Sequence, residues 1–154
     1  MTKYEVVPAT DEHAVALAAV MRKADIDEVW AACRFKPLEA LRMSMLVSRD
    51  PSTGLADGRP VCMFGVGEFG TIIAPRTQPW LLGAEELPKH ARTFLRMNRS
   101  YIKRVREQYS VLENYVDARN ALAIRWLKWL GFDIKEPVIF GPDGLLFHPF
   151  IMVR

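Results

Sequence analysis

Residues Leu87 to Tyr109 constrain this chain most, because they pattern as one long two-sided helix set between strand-like runs. Phe94, Leu95, Tyr101, Ile102, Val105 and Tyr109 fall on one side at helical spacing. Lys89, Arg92, Arg96, Arg99, Lys103 and Arg106 recur at steps of three and four on another side, with no acidic residue between Lys89 and Arg106. An apolar helix side must be buried against a second layer, and the neighbouring runs supply one. Upstream, Ser52–Ala56 and Pro60–Gly67 flank Asp57-Gly58, a pair suited to the positive φ angles of a tight hairpin. Thr71–Ala74 and Pro79–Leu82 predict a further strand, made irregular by its prolines. Downstream, Val111–Val116 reads as a strand and Asn120–Leu130 as a helix that Gly131 ends. Val138–Phe140 and Leu145–Val153 form a last hairpin across Gly141-Pro142-Asp143-Gly144.

The N-terminal third is helical after a short strand, Tyr4–Pro8. Thr10 or Asp11 caps a helix with Glu12 in its first turn, and Val15, Leu17, Ala18 and Met21 supply a buried side. Asp25 and Asp27 signal a break and a fresh cap, with Val29 and Trp30 on the next apolar turn. Pro37 fits the first turn of another helix, Leu38 to about Val47, which Asp50-Pro51-Ser52 closes. Strands and helices alternating in this order predict an α/β sheet covered on both faces, as one domain over residues 1–154.

Composition excludes several classes. A membrane-spanning helix needs about 20 apolar residues, and no uncharged run is longer than Gly144–Val153. The start, Met1-Thr2-Lys3-Tyr4-Glu5, lacks the apolar core of a signal peptide, so the chain is expected to stay where it is made. Cys33 and Cys62 lie far apart in apolar surroundings and are expected to be buried thiols. His13, His90 and His148 are scattered, and no metal-ligand spacing is present. A net charge of +3 does not by itself indicate nucleic acid.

The segment Asn120 to Phe132 resembles the signature of the GNAT N-acetyltransferases, Asn-x-x-Ala-x-x-x-Tyr-x-x-x-Gly-Phe, matching it at Asn120, Ala123, Gly131 and Phe132. The element order resembles the same fold. The resemblance implies a mixed, mostly antiparallel sheet of about seven strands with helices on both faces, opening between the strand near Leu82 and Val111–Val116. It also implies an acetyl-CoA site in which Leu81, Leu82, Gly83, Lys89 and Asn120 would hold the cofactor. Pro79-Trp80-Leu81-Leu82-Gly83, the basic helix, Glu113-Asn114-Tyr115-Val116 and Arg125-Trp126-Leu127-Lys128 are further similar to a GNAT-like phage family that includes the small internal virion protein of short-tailed phages. That similarity covers roughly residues 55 to 154 and implies a role in virion assembly, in the host cytoplasm or packaged in the particle.

The residues that run acetyl transfer look incomplete. The turn that should hold a diphosphate on backbone N–H groups reads Gly83-Ala84-Glu85-Glu86-Leu87-Pro88-Lys89, with one glycine, two acids and a proline. Lys89 and Arg92 partly compensate in charge. Leu127 stands where the signature has its proton-donating Tyr, and the Trp126 indole is no useful acid. Glu68 and His90 are the candidate bases. The expectation is therefore a virion-associated or assembly protein acting through contacts, with a degenerate acyl-CoA site and no cofactor. The alternative is an acetyl-CoA-dependent N-acetyltransferase acting on a protein or small amine. Lys89, Arg92, Arg96, Arg99, Lys103 and Arg106 form the expected partner surface, for an acidic phage or host protein or for nucleic acid.

Overall fold

The computed structural model describes residues 1–70, 73 and 75–154. The elements are β1 (Tyr4–Pro8), α1 (Asp11–Ala18), α2 (Lys23–Cys33), α3 (Pro37–Val47), β2 (Ser48–Ala56), β3 (Arg59–Gly70) and β4 (Pro75–Gly83). After a 3-10 turn (Leu87–His90) come α4 (Ala91–Gln108), β5 (Val111–Asp117), α5 (Ala121–Leu130), β6 (Asp133–Ile134), β7 (Val138–Phe140) and β8 (Leu145–Val153). The strands form one 8-stranded sheet in the order β1-β2-β3-β4-β5-β8-β6, with β7 also on β8. All pairs are antiparallel except β4 with β5. The two-residue strand β6 accounts for the one strand beyond the expected seven.

Alternation along β3 distributes the core. Met63 packs with Ala14, Leu17 and Leu41 of α1 and α3, whereas its neighbours Cys62 and Phe64 pack with Leu87 and Phe94 on the other face. Helices α4 and α5 also cover Val66, Leu112 and Phe150 on that second face.

Several expectations need correction. The strand expected over Thr71–Ala74 lies, but for residue 73, outside the described residues. Asp50-Pro51-Ser52 does not close α3: the chain passes straight into β2 at Ser48, and Asp50, at φ 51, sits at a register shift. Val15 is exposed, because the side of α1 that packs into the core carries Ala14 and Leu17, three residues apart, and Val15 lies off that side. Asp25 is no cap: α2 starts at Lys23, and Asp25 is 2% exposed inside its first turn. Lys89 belongs to the 3-10 turn that precedes α4. Cys33 is exposed near the end of α2, and only Cys62 is buried.

β4 is regular against β3, with no register shift from Cys62↔Gly83 to Gly70↔Pro75, despite its prolines. The reason is parity. Gly83 sends both its N–H and its C=O away from β3, to Asp25 and Arg22, so residues of the same parity, including Pro79, face β5. A proline there leaves no N–H to pair.

The hairpin β7–β8 docks on α2 through Gly141, at φ 80, where an added methyl group would collide with the backbone carbonyl of Ala31. Gly141→Ala is expected to destabilise the fold by about 1–3 kcal/mol in urea unfolding, from the strained φ together with that clash.

Candidate active site

The parallel pairing of β4 with β5 consists of one register pair, Thr77↔Leu112, after which the strands diverge. Pro79 is the next β5-facing residue and has no donor to continue the ladder. Its carbonyl instead accepts the Asn114 Nδ2 side chain at 3.0 Å. By the same two-residue alternation, Leu81 turns its N–H and C=O into the gap. The opening that the fold resemblance implied is therefore present.

A cavity of about 370 Å³ occupies the gap. Asp25, Glu28 and Val29 of α2 line it from one face of the sheet, and Asn98 of α4 with Trp126 and Leu127 of α5 line it from the other. The cavity thus crosses the sheet, so that two molecules approaching from opposite faces could meet inside it.

At the open ends of the two strands lies a polar cluster. Arg22, the residue just before α2, and Asp25 and Glu28 within it stand three residues apart. Arg22 Nη1 donates to Asp25 Oδ1 at 3.0 Å, and its guanidinium lies over the Trp126 ring at 5.5 Å. Asp25 Oδ2 accepts the Gly83 N–H at 2.9 Å, tying α2 to the end of β4. Glu28 Oε1 accepts the Asp117 N–H at 2.8 Å, tying the same helix to the end of β5. Asn120 Nδ2 donates to Asp25 at 3.2 Å and to Glu28 at 3.4 Å. Burial, followed by the neighbouring Asp25 charge, pushes the Glu28 carboxyl up to about 8. Burial also raises Asp25, against the opposing pull of Arg22.

Most N–H groups of the turn after β4 already have partners within the chain. Besides the Gly83 N–H, Ala84 N–H donates to Val61 O and Glu85 N–H to Val20 O, both at 2.9 Å. Leu87 N–H donates to Ala84 O and Lys89 N–H to Glu86 O. Glu86 pairs with Arg59 at 3.0 Å.

The residues expected at the site fall in different places. Leu81 and Leu82 line the cavity, and Leu127 lines it too. Gly83 and Asn120 are bound into the polar cluster, where Asn120 also caps α5 through Ala123 N–H at 3.4 Å. Lys89 is exposed on the 3-10 turn, outside the cavity lining. Neither candidate base reaches the cavity. Glu68 accepts a hydrogen bond from the Tyr109 hydroxyl in a separate depression. His90 Nδ1 lies 2.8 Å from the Tyr4 hydroxyl, and its Nε2 lies 3.3 Å from Glu86. Glu28, the carboxyl that does line the cavity, was missed. The available signal was the charged row 22, 25 and 28 on one face of a helix whose residues 26 and 29 are apolar.

No family model matches the chain, and no curated protein matches it. Solved structures do. A ribosomal-protein-alanine N-acetyltransferase from Brucella melitensis is 17% identical, with 97% of this chain and 99% of that one covered at a TM-score of 0.71. An aminoglycoside acetyltransferase solved with coenzyme A is 17% identical, with 99% and 95% covered at 0.69. The protein yncA from Salmonella typhimurium, solved with its cofactor acetyl-CoA, is 13% identical, with 97% and 93% covered at 0.67. The open β4–β5 gap, the element order and this full-length agreement converge on one architecture: the chain has the GNAT acetyltransferase fold.

Proposed function

We propose that this chain is an acyl-CoA-dependent N-acyltransferase that acts across the β4–β5 cavity. The observation that carries the reading is the cavity itself: it passes through the sheet and brings a carboxyl with a raised pKa to one face and an apolar slot to the other. The residues fit the arm of an acetyl-CoA. Leu81 offers a free strand edge, and Leu82, Trp126 and Leu127 wall the slot. The diphosphate end is held differently, because the turn after Gly83 has its Ala84, Glu85, Leu87 and Lys89 N–H groups occupied and adds Glu85 and Glu86. There Lys89 and Arg92 supply charge in place of backbone donors. When bound, acetyl-CoA supplies an activated acyl group.

The chain's own part is positioning and proton handling. Glu28 Oε1 lies at the ends of the strands, on the α2 face, where an amine entering from that face would meet it. A carboxylate whose pKa is raised to about 8 is basic enough to take the proton that the nitrogen of an attacking amine gives up as its bond to the acyl carbon forms and the thiolate leaves. The Asp117 and Asn120 hydrogen bonds hold it in place.

The virion role implied by the phage resemblance has no structural likeness behind it. Leu127 puts no acid at the position where the signature has its Tyr, so turnover is expected to be slow. In a thiol-release assay with acetyl-CoA and a panel of primary amines, the chain is expected to give amine-dependent turnover. Because residue 127 lines the cavity, Leu127→Tyr should raise that turnover. No amine-dependent thiol release by either protein, together with no acetyl-CoA effect on the melting temperature, would overturn the reading.

A further inference from the structure

Helix α4 turns its apolar residues inward and its cations outward. Phe94, Asn98, Ile102 and Val105 are buried, whereas Arg92, Arg96, Arg99 and Lys103 are exposed, as is Lys89 on the turn just before the helix. Among the described residues none of these cations makes a salt bridge. Arg99 alone is partly engaged, with its guanidinium 4.0 Å over the Trp129 ring and its Nη2 on Trp129 O at 3.2 Å. Arg125 and Lys128 of α5 are exposed as well. Arg106, expected in the same row, is only partly exposed and buries its Nε, so from Arg92 to Lys103 the exposed stripe runs about 17 Å at the rise of an α-helix.

We propose that the outer face of α4 binds the phosphate backbone of a nucleic acid duplex. The chemistry of the stripe selects this partner. A protein interface is anchored by an apolar or aromatic centre inside a polar rim, and no large apolar residue of α4 is exposed among those described. A phosphate backbone asks only for cations in a row, and about 17 Å of duplex presents roughly five phosphates on each strand. Stacking of unpaired bases needs exposed aromatic faces along the path. The exposed aromatic residue beside the stripe, Trp129, is covered by Arg99. Sequence is not read, because no side chain here offers base-specific pairing in a fixed frame. Arg96, Arg99 and Lys103 neither line the cavity nor stand at its diphosphate end, so duplex binding through them and acyl transfer are separable.

The test is fluorescence anisotropy with labelled 20-base-pair duplexes, one of DNA and one of RNA, between about 50 and 200 mM salt. Both duplexes should bind, with log K falling against log salt at a slope of about −4, as expected for four to five phosphate contacts. Binding of only one duplex would show that groove shape, and not the shared backbone, is recognised, and would overturn the proposal as stated. The Arg96→Glu, Lys103→Glu, Lys128→Glu triple variant should weaken binding at least tenfold with an unchanged melting temperature. Arg99 is left intact because it packs on Trp129. If the reversal melts, the corresponding Gln triple replaces it and should still cost several-fold. Unchanged binding by a folded variant, or poly-glutamate of equal charge binding as tightly as the duplexes, would overturn the proposal. The latter result would mark the stripe as a surface for acidic proteins.

Discussion

Asp25→Ala is expected to lower stability by about 3–5 kcal/mol, because it removes one partner of a buried ion pair. Arg22 would keep its charge at 9% exposure without a carboxylate beside it. The Gly83 N–H and the Asn120 amide would lose an acceptor at the same time. For a domain of this size each kcal/mol moves the melting temperature by about 2–4 °C, so a circular dichroism melt should shift by roughly 6–20 °C. Asp25→Asn preserves an acceptor for Gly83 and should fall between the two. A shift below about 2 °C for the alanine variant would mean that α2 is not held to β4 through this residue.

Glu28→Gln is expected to reduce kcat/KM by about a hundredfold or more, the usual contribution of a positioned base. With an acceptor amine of low basicity, the rate of the parent protein should rise with pH through about 8, and the variant should lose that rise. Stability carries a second signature. The folded-state pKa is raised from 4.5 to about 8. Between those values the folded chain keeps a proton that the unfolded chain has released. Glu28 therefore favours the folded state most at low pH, and its contribution declines as pH rises through that window and levels off above about 8. The Gln variant should show a flatter dependence in melts from pH 5 to 9. A variant with parental rate and parental pH profile would remove Glu28 from the chemistry and leave it as a clamp between α2 and β5.

Both predictions concern α2, the element least legible beforehand. Its acids resemble caps in the sequence, since Asp commonly starts helices. What makes Asp25 and Glu28 a cluster is the distance that folding closes: Gly83 is far along the chain, and Asp117 and Asn120 lie farther still. Local patterning carries no record of such meetings. Glu68 and His90 drew attention for the opposite reason, as titratable residues near strand and helix ends. The fold spends one on Tyr109 and the other on Tyr4 and Glu86.

The elements themselves were largely legible. β7 and β8 begin and end where their patterning places them, and the helix ended by Gly131 closes there at φ 102. The inward and outward sides of α4 follow from spacing, because a helix side is set by a period of 3.6 residues, except that Arg106 is only partly exposed and Asn98 is buried, with its amide on Phe94 O. Pro79 is a case in which the sequence held the answer but not its meaning. A proline in a strand announces a missing donor wherever it occurs. Only the sheet order, which sets β4 beside β5, turns that missing donor into the opening on which the candidate site is built. The sequence by itself determined the periodicities, the turns and the charge stripe, all of which depend on neighbours a few residues apart. The tertiary structure decided which buried acid faces the cavity and which backbone donors are already taken, because those depend on contacts between segments that only the closed sheet brings together.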